Sequence, residues 1–513
     1  TSGTTSISSN YKPTSGILTT NNNLTLLSAS GSTATIGQGS SSGGYVSGNV
    51  TVQQYIPAGR RAMRFFAHPF SSAISLDQLE DNIDITGTGG ASNGFSTTLK
   101  NNPSAFWYDQ SIGDGATATT DIGWTAFTNT NGAGSNAWNV DEGIRVLVRG
   151  SKGQTGSLTG GTYTPNAVTI DMSGQVNQGN HTVSMTKGSN TPFVFIGNPY
   201  PCQIDLNLAA LGSGVNGSFY VWNPSTGTYG AYETNPWSSS YILPANAGFF
   251  VSLSSNTSIT FHESDKSTAS ASSSLFKTTG GLLQNRVLLR VLSNNDSLQW
   301  DRLLFYFDTK GKADSDWYDG IKMFNPDMSF YSFSADNKRM ALDVRPMEDG
   351  KVIPLGIKYA PLKNYVIKTE ELNLPPGATL KLHDKYTGSV QTLTKGAEYA
   401  FSITSDTNTQ GDNRFELNMI QLPANVATES SLLHLSISPN PANDVAMLSF
   451  SATKAGVTTL QLINMTGNEV LKMNLGNMQK GNIAIPMQSM APGMYIVKFS
   501  CGNTVESKQL IKK

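Results

Sequence analysis

The sequence runs to 513 residues and carries 35 Lys+Arg against 36 Asp+Glu, so it is too long for one ordinary core and holds no basic field for nucleic acid. Charged residues make up only 14% of it, while Gly alone contributes 50 residues and Ser, Thr and Asn fill much of the remainder. A chain so poor in helix formers and so rich in turn residues excludes a mainly helical protein and points to an all-β one, with several β-sandwich domains in tandem.

Residues 1–58 carry short alternating runs, Asn23–Ser28, Thr33–Ile36 and Asn49–Ile56, separated by Gly and Ser clusters. A period of two marks half-buried strands. Their spacing fits two or three rungs of a β-solenoid, and equally a pair of sandwich edge strands. Residues 59–266 read as a β-rich domain with one short helix, expected within Ser71–Asp84, with Ser75 as its cap and Gln78 at the capping-box position. Apolar runs at Ile144–Arg149, Pro192–Gly197 and Gly248–Leu253 are expected as buried strands. Residues 267–274 read as a linker, and the charge distribution supports a break there: residues 1–273 hold 10 Lys+Arg and 14 Asp+Glu, the minority of each. Residues 275–423 read as a β-sandwich, and 424–431 as a second linker. Residues 432–513 hold seven strand-like runs: Leu433–Ser438, Val445–Ser451, Val457–Asn464, Glu469–Asn474, Asn482–Pro486, Met494–Ser500 and Thr504–Ile511. That is the arithmetic of an immunoglobulin-like sandwich.

Within this last segment come Ser438-Pro439-Asn440-Pro441-Ala442, Asn464-Met465-Thr466-Gly467, Met490-Ala491-Pro492-Gly493-Met494-Tyr495 and the closing Lys508–Lys513. Their order and spacing resemble the type A C-terminal sorting domain of proteins exported by the type 9 secretion system of Bacteroidota. The resemblance implies that Pro439, Asn440, Pro441, Gly467, Gly493, Tyr495, Lys508, Lys512 and Lys513 belong to a sorting signal. It implies the type 9 translocon and sorting machinery as partners, and the outer face of the outer membrane or the extracellular space as destination. The same residues have a plain physical reading: prolines at a strand edge and glycines in turns. Further upstream, Asp314–Asp319, Met340–Pro346 and Gly411–Phe415 look like a sandwich module that often precedes such domains. Gly59–Pro69 and Gly197–Pro201 are similar to another.

Candidate chemistry is sparse. Asp308, Asp314, Asp316 and Asp319 form a weak candidate set for Ca²⁺, whose shell takes six to eight oxygens; a hydrated acidic loop is the plainer reading. Trp107, Tyr220, Trp222 and Trp237 are candidates for stacking on surface polysaccharide or host glycans, against the plainer reading that such rings pack the sheets. Gly39-Ser40-Ser41-Ser42-Gly43 matches a nucleophile elbow in letters only, because it lies in a Gly/Ser tract, and no catalytic residue is assigned. The two cysteines, Cys202 and Cys501, build no disulfide framework. No run of about 18 apolar residues provides a transmembrane segment. The chain opens at Thr1 without a charged and apolar leader, as a processed or partial chain would.

The expected function is that of a non-catalytic secreted surface protein: an adhesin, stalk or matrix component. One alternative is part of a polysaccharide-binding or polysaccharide-degrading enzyme. Another is a self-assembling fibre subunit in which an exposed strand augments a neighbour's sheet.

Overall fold

In a computed structural model the described residues are 4–112, 123–159, 161–226, 230–238, 240–269, 285–293, 296–421, 433–465, 467–502 and 504–513. Most of the first expected linker and all of the second lie outside them. Strand accounts for 51% of the described residues and helix for 4%, so the fold is all-β. Among the described residues no helix is long and apolar enough to cross a membrane. The chain divides into two compact units, Thr1–Gln421 and Leu422–Lys513.

The first unit opens with solenoid rungs. Thr5–Ile7 pairs in parallel with Leu24–Leu26, which pairs in parallel with Val50–Ile56. Asn10–Tyr11 lies parallel to Thr35–Ile36, and Leu18–Thr19 to Val46–Ser47. Three parallel ladders between successive turns of chain are the geometry of a β-solenoid. Alternation sends Leu24, Leu26, Ile36, Val46, Val50 and Val52 into its core. Val168–Gly174 then pairs antiparallel with Val50–Ile56 and ends that parallel stack.

Two four-stranded antiparallel sheets follow. One runs in the order Ala62–Phe66, Ile144–Val148, Ala105–Tyr108, Trp124–Ala126; the other runs Phe193–Gly197, Gly248–Leu253, Val215–Asn223, Ala231–Pro236. Phe65 and Trp124 of the first sheet pack against Phe195, Trp222, Tyr232 and Phe250 of the second. The helix is far shorter than the span expected, only Asp77–Glu80. The Ser75 hydroxyl donates to the Asp77 carboxylate rather than capping a backbone amide, and the Gln78 amide is drawn to the Ser173 backbone.

Residues 286–421 build an eleven-stranded sheet over a core that includes Val287, Leu303, Phe330, Leu355 and Leu417. It shares the first unit's interior: Arg302 Nη2 donates to the Thr234 carbonyl at 3.1 Å, and Tyr232 N–H donates to Asn325 Oδ1 at 2.8 Å.

The second unit is a five-stranded antiparallel sheet of Leu433–Ser438, Val445–Asn464, Glu469–Pro486, Gly493–Cys501 and Thr504–Lys512. The seven expected runs become five strands because two pairs of them merge. Register shifts between Ser451 and Gly456, and between Thr458 and Thr459, carry the ladder through the expected turns. Leu448, Leu460, Leu462, Val497, Phe499 and Leu510 fill its core.

Candidate functional site

In the second unit the motif residues have defined structural work. Asn440 acts as an extra strand neighbour: its amide nitrogen donates to the Gln509 carbonyl at 2.8 Å and its amide oxygen accepts from Ile511 N–H at 2.9 Å. Pro439 and Pro441, both after cis peptide bonds, flank it and offer no N–H to compete. Ala442 N–H then donates to the Ile511 carbonyl, and Lys513 N–H to the Ala442 carbonyl. Gly467 sits at φ 84°, inside the turn joining the two longest strands, where its N–H reaches the Asn464 carbonyl. Tyr495 follows Gly493 and donates its hydroxyl to the Ala491 carbonyl at 2.8 Å, the tyrosine-corner arrangement of sandwich folds. The first unit repeats that device in Tyr365, which donates to the Pro361 carbonyl at 2.8 Å. Lys508 and Lys513 are exposed, Lys512 half-buried.

In the first unit the aromatic candidates lie mostly inside. Tyr220 is fully buried and edge-on to Phe193, with no face open to a sugar. Trp237 is buried and donates its indole N–H to the Asn216 carbonyl at 3.0 Å. Trp222 stacks on Phe65 with ring centroids 5.1 Å apart and donates to the Met63 carbonyl at 2.8 Å. Trp107 is half-buried against the first core. Trp317, not singled out from sequence as a stacking ring, is 48% exposed; its position between Asp316 and Tyr318 in a polar loop was the available signal.

The four aspartates do not gather. Among the described residues no group of three or more His, Cys, Asp or Glu could hold a metal ion. Asp308 Oδ1 accepts from Lys310 N–H and Asp316 Oδ1 from Tyr318 N–H. Asp319 accepts from Asp316 and Val344 N–H. Burial, helped by the neighbouring Asp343 carboxylate, pushes the Asp319 carboxyl up to about 8. Asp314 is exposed.

Sequence reasoning missed the buried charges. Glu263 accepts from Gly39 N–H (2.7 Å), Gly179 N–H (2.8 Å), the Tyr45 hydroxyl (2.5 Å) and Lys266 Nζ (3.0 Å). Asp384 takes Arg414 through Nη2 at 2.8 Å and Nε at 3.1 Å. Also missed was a cavity of about 250 Å³ where Val50–Ile56, Ala62–Phe66 and Val215–Asn223 converge, walled in part by Tyr55, Arg64, Trp222, Asn223, Glu233 and Asn246.

Comparison with known proteins gives two family matches. A secretion system C-terminal sorting domain matches residues 436–513, and a domain of unknown function (DUF8693) matches residues 225–419. The second match begins inside the 59–266 segment, at the strand pair that meets the eleven-stranded sheet. No catalytic family matches. No curated protein matches the sequence. Among solved structures, a biofilm associated protein BSP domain aligns over 90% of this chain and 92% of its own at 10% identity, with a TM-score of 0.14, at which the backbones do not superpose.

Proposed function

From a chain that is a type 9 secretion substrate, engages that machinery through its C-terminal sorting domain and is exported to the cell surface or the extracellular space, we propose a non-catalytic adhesin, stalk or matrix component. The observation that carries this reading is the use of the charged side chains. The buried acids Glu263, Asp384 and Asp319 are spent on backbone amides and buried cations inside the β core, where they hold strands together. A glycoside hydrolase canonically uses a pair of carboxyls flanking the scissile bond, spaced for substrate.

The test is genetic and cellular. Cells producing the chain without residues 432–513 should retain it in the periplasm, and cells lacking the gene should adhere less to polysaccharide-coated surfaces. Normal display of the truncated chain, or turnover of a polysaccharide by the purified protein, would refute the reading.

A further inference from the structure

We infer that the cavity walled by Tyr55, Arg64, Trp222, Asn223, Glu233 and Asn246 binds one acidic sugar unit, a monosaccharide carrying a carboxylate, with Arg64 as the post for its anion. This rests on the surface-recognition reading above and gives it a ligand class.

Arg64 is the odd arginine of the first unit. Arg302 is engaged by Thr234, Arg345 by Asp343, Arg414 by Asp384, and Arg145 lies 4.1 Å over the Trp124 ring. Arg64 Nε is buried with no hydrogen-bond partner, and no described carboxylate or ring engages the guanidinium. Burial alone acts on its proton affinity, downward, with no neighbouring charge to offset it. A cation taken partly out of water without a partner is costly, and an anion entering from solvent relieves that cost.

Glu233 cannot serve as the missing counter-ion. It accepts from Asn223 Nδ2 at 2.7 Å and faces Arg302 at 4.0 Å, and burial pushes its carboxyl upward. Its carboxyl oxygens, on another wall, remain acceptors that a sugar hydroxyl can reach. Asn246 is 2% exposed and both atoms of its side-chain amide lack a partner, while its carbonyl takes Ala67 N–H. An unsatisfied donor and acceptor on one side chain match adjacent hydroxyls. The planar fork of a guanidinium matches a carboxylate. The cavity is smaller than the roughly 300–1,000 Å³ of sites for drug-sized ligands, which fits a single ring and not an oligosaccharide.

The experiment is calorimetric titration of the full chain with D-glucuronate, D-glucose and sodium sulfate. Saturable binding of glucuronate is expected, with none of glucose and weaker binding of sulfate. Arg64→Met should weaken glucuronate binding by roughly tenfold or more, the effect of one charged hydrogen bond, without lowering the melting temperature. Asn246→Gly, which suits the φ of 59° there, should weaken it at unchanged stability and decides the matter if Arg64→Met fails to fold. Absence of saturable glucuronate binding, or wild-type affinity in either folded variant, overturns the proposal. Sulfate binding as tight as glucuronate overturns the sugar assignment. Wild-type protein that binds no glucuronate, from cells that still adhere, sinks this inference alone and leaves the adhesin reading standing.

Discussion

Replacing Glu263 with Ala tests how the solenoid is fastened to the sheets behind it. Its carboxylate ties Gly39 and Tyr45, on the loop between rungs, to Gly179 and to Lys266, whose side chain is only 1% exposed. Removing it strands a buried ammonium and leaves two backbone N–H groups and a phenol without their acceptor. Breaking one side of a buried ion pair costs about 3–5 kcal/mol, at least about a fifth of a typical domain's total. Lys266 keeps some consolation from the Tyr200 ring 4.4 Å away, so the lower end of that range is the expectation. Urea unfolding of the first unit measures the loss, and amide hydrogen exchange at Gly39 and Tyr45 locates it. The double variant Glu263→Ala with Lys266→Met removes the stranded charge and should recover about 2 kcal/mol of it. A single variant within about 1 kcal/mol of wild type, or a double variant no better than the single, would refute the reasoning.

Other expectations follow the same physics. Asp319, held at about 8 when folded against about 3.9 unfolded, keeps in the folded state a proton that the unfolded chain releases. Its contribution is therefore full below about pH 4 and is lost as the pH rises to about 8. Asp319→Asn should flatten the fall in melting temperature between about pH 5 and about pH 8, and a slope equal to wild type would contradict it. Burial pulls the Asp384 carboxyl upward, but bonds from Arg414 and Tyr399 outweigh it and hold the group low, so its contribution is present above about pH 4 and drains away on acidification. Asp384→Asn should cost about 3–5 kcal/mol near neutral pH and less in acid, read by denaturation at both. Leu460→Ala, in a fully buried position of the sorting unit, should cost about 2–5 kcal/mol and lower the displayed fraction, measured by surface proteolysis of intact cells. Undiminished display with a destabilised unit would show that export does not require this fold.

Much of the architecture was legible because short apolar runs bounded by turn residues read as buried strands. Gly248–Leu253 is a strand with the bounds its composition suggests, and Ile144–Val148 and Phe193–Gly197 differ from expectation by one end residue each. The solenoid could not be chosen over edge strands from sequence. Its deciding ladders include two-residue strands such as Asn10–Tyr11 and Leu18–Thr19, too short to show a period. The sorting motifs were readable as an ordered set, yet the role of Asn440 was not, since its partners Gln509 and Ile511 lie on the last strand. The aromatic candidates went inside because composition cannot say which face of a sheet a ring takes. The Arg64 cavity is drawn from five separated stretches, at 54–56, 64–66, 221–224, 233 and 241–248, so no local motif announces it. Glu263 is hidden for the same reason, its Gly39 partner being 224 positions away.

The two cysteines have a use that neither their number nor their spacing suggests. Cys202 and Cys501 are free, buried at 1% and 5% exposure, and stand one in each compact unit. A thiol shielded in this way reacts with an alkylating reagent only when its surroundings open, so each is an internal clock for its own unit. Pulse labelling of the unaltered protein, read by peptide mass, reports two opening rates side by side in one sample. That separation shows which of the two units yields first under heat, denaturant or shear.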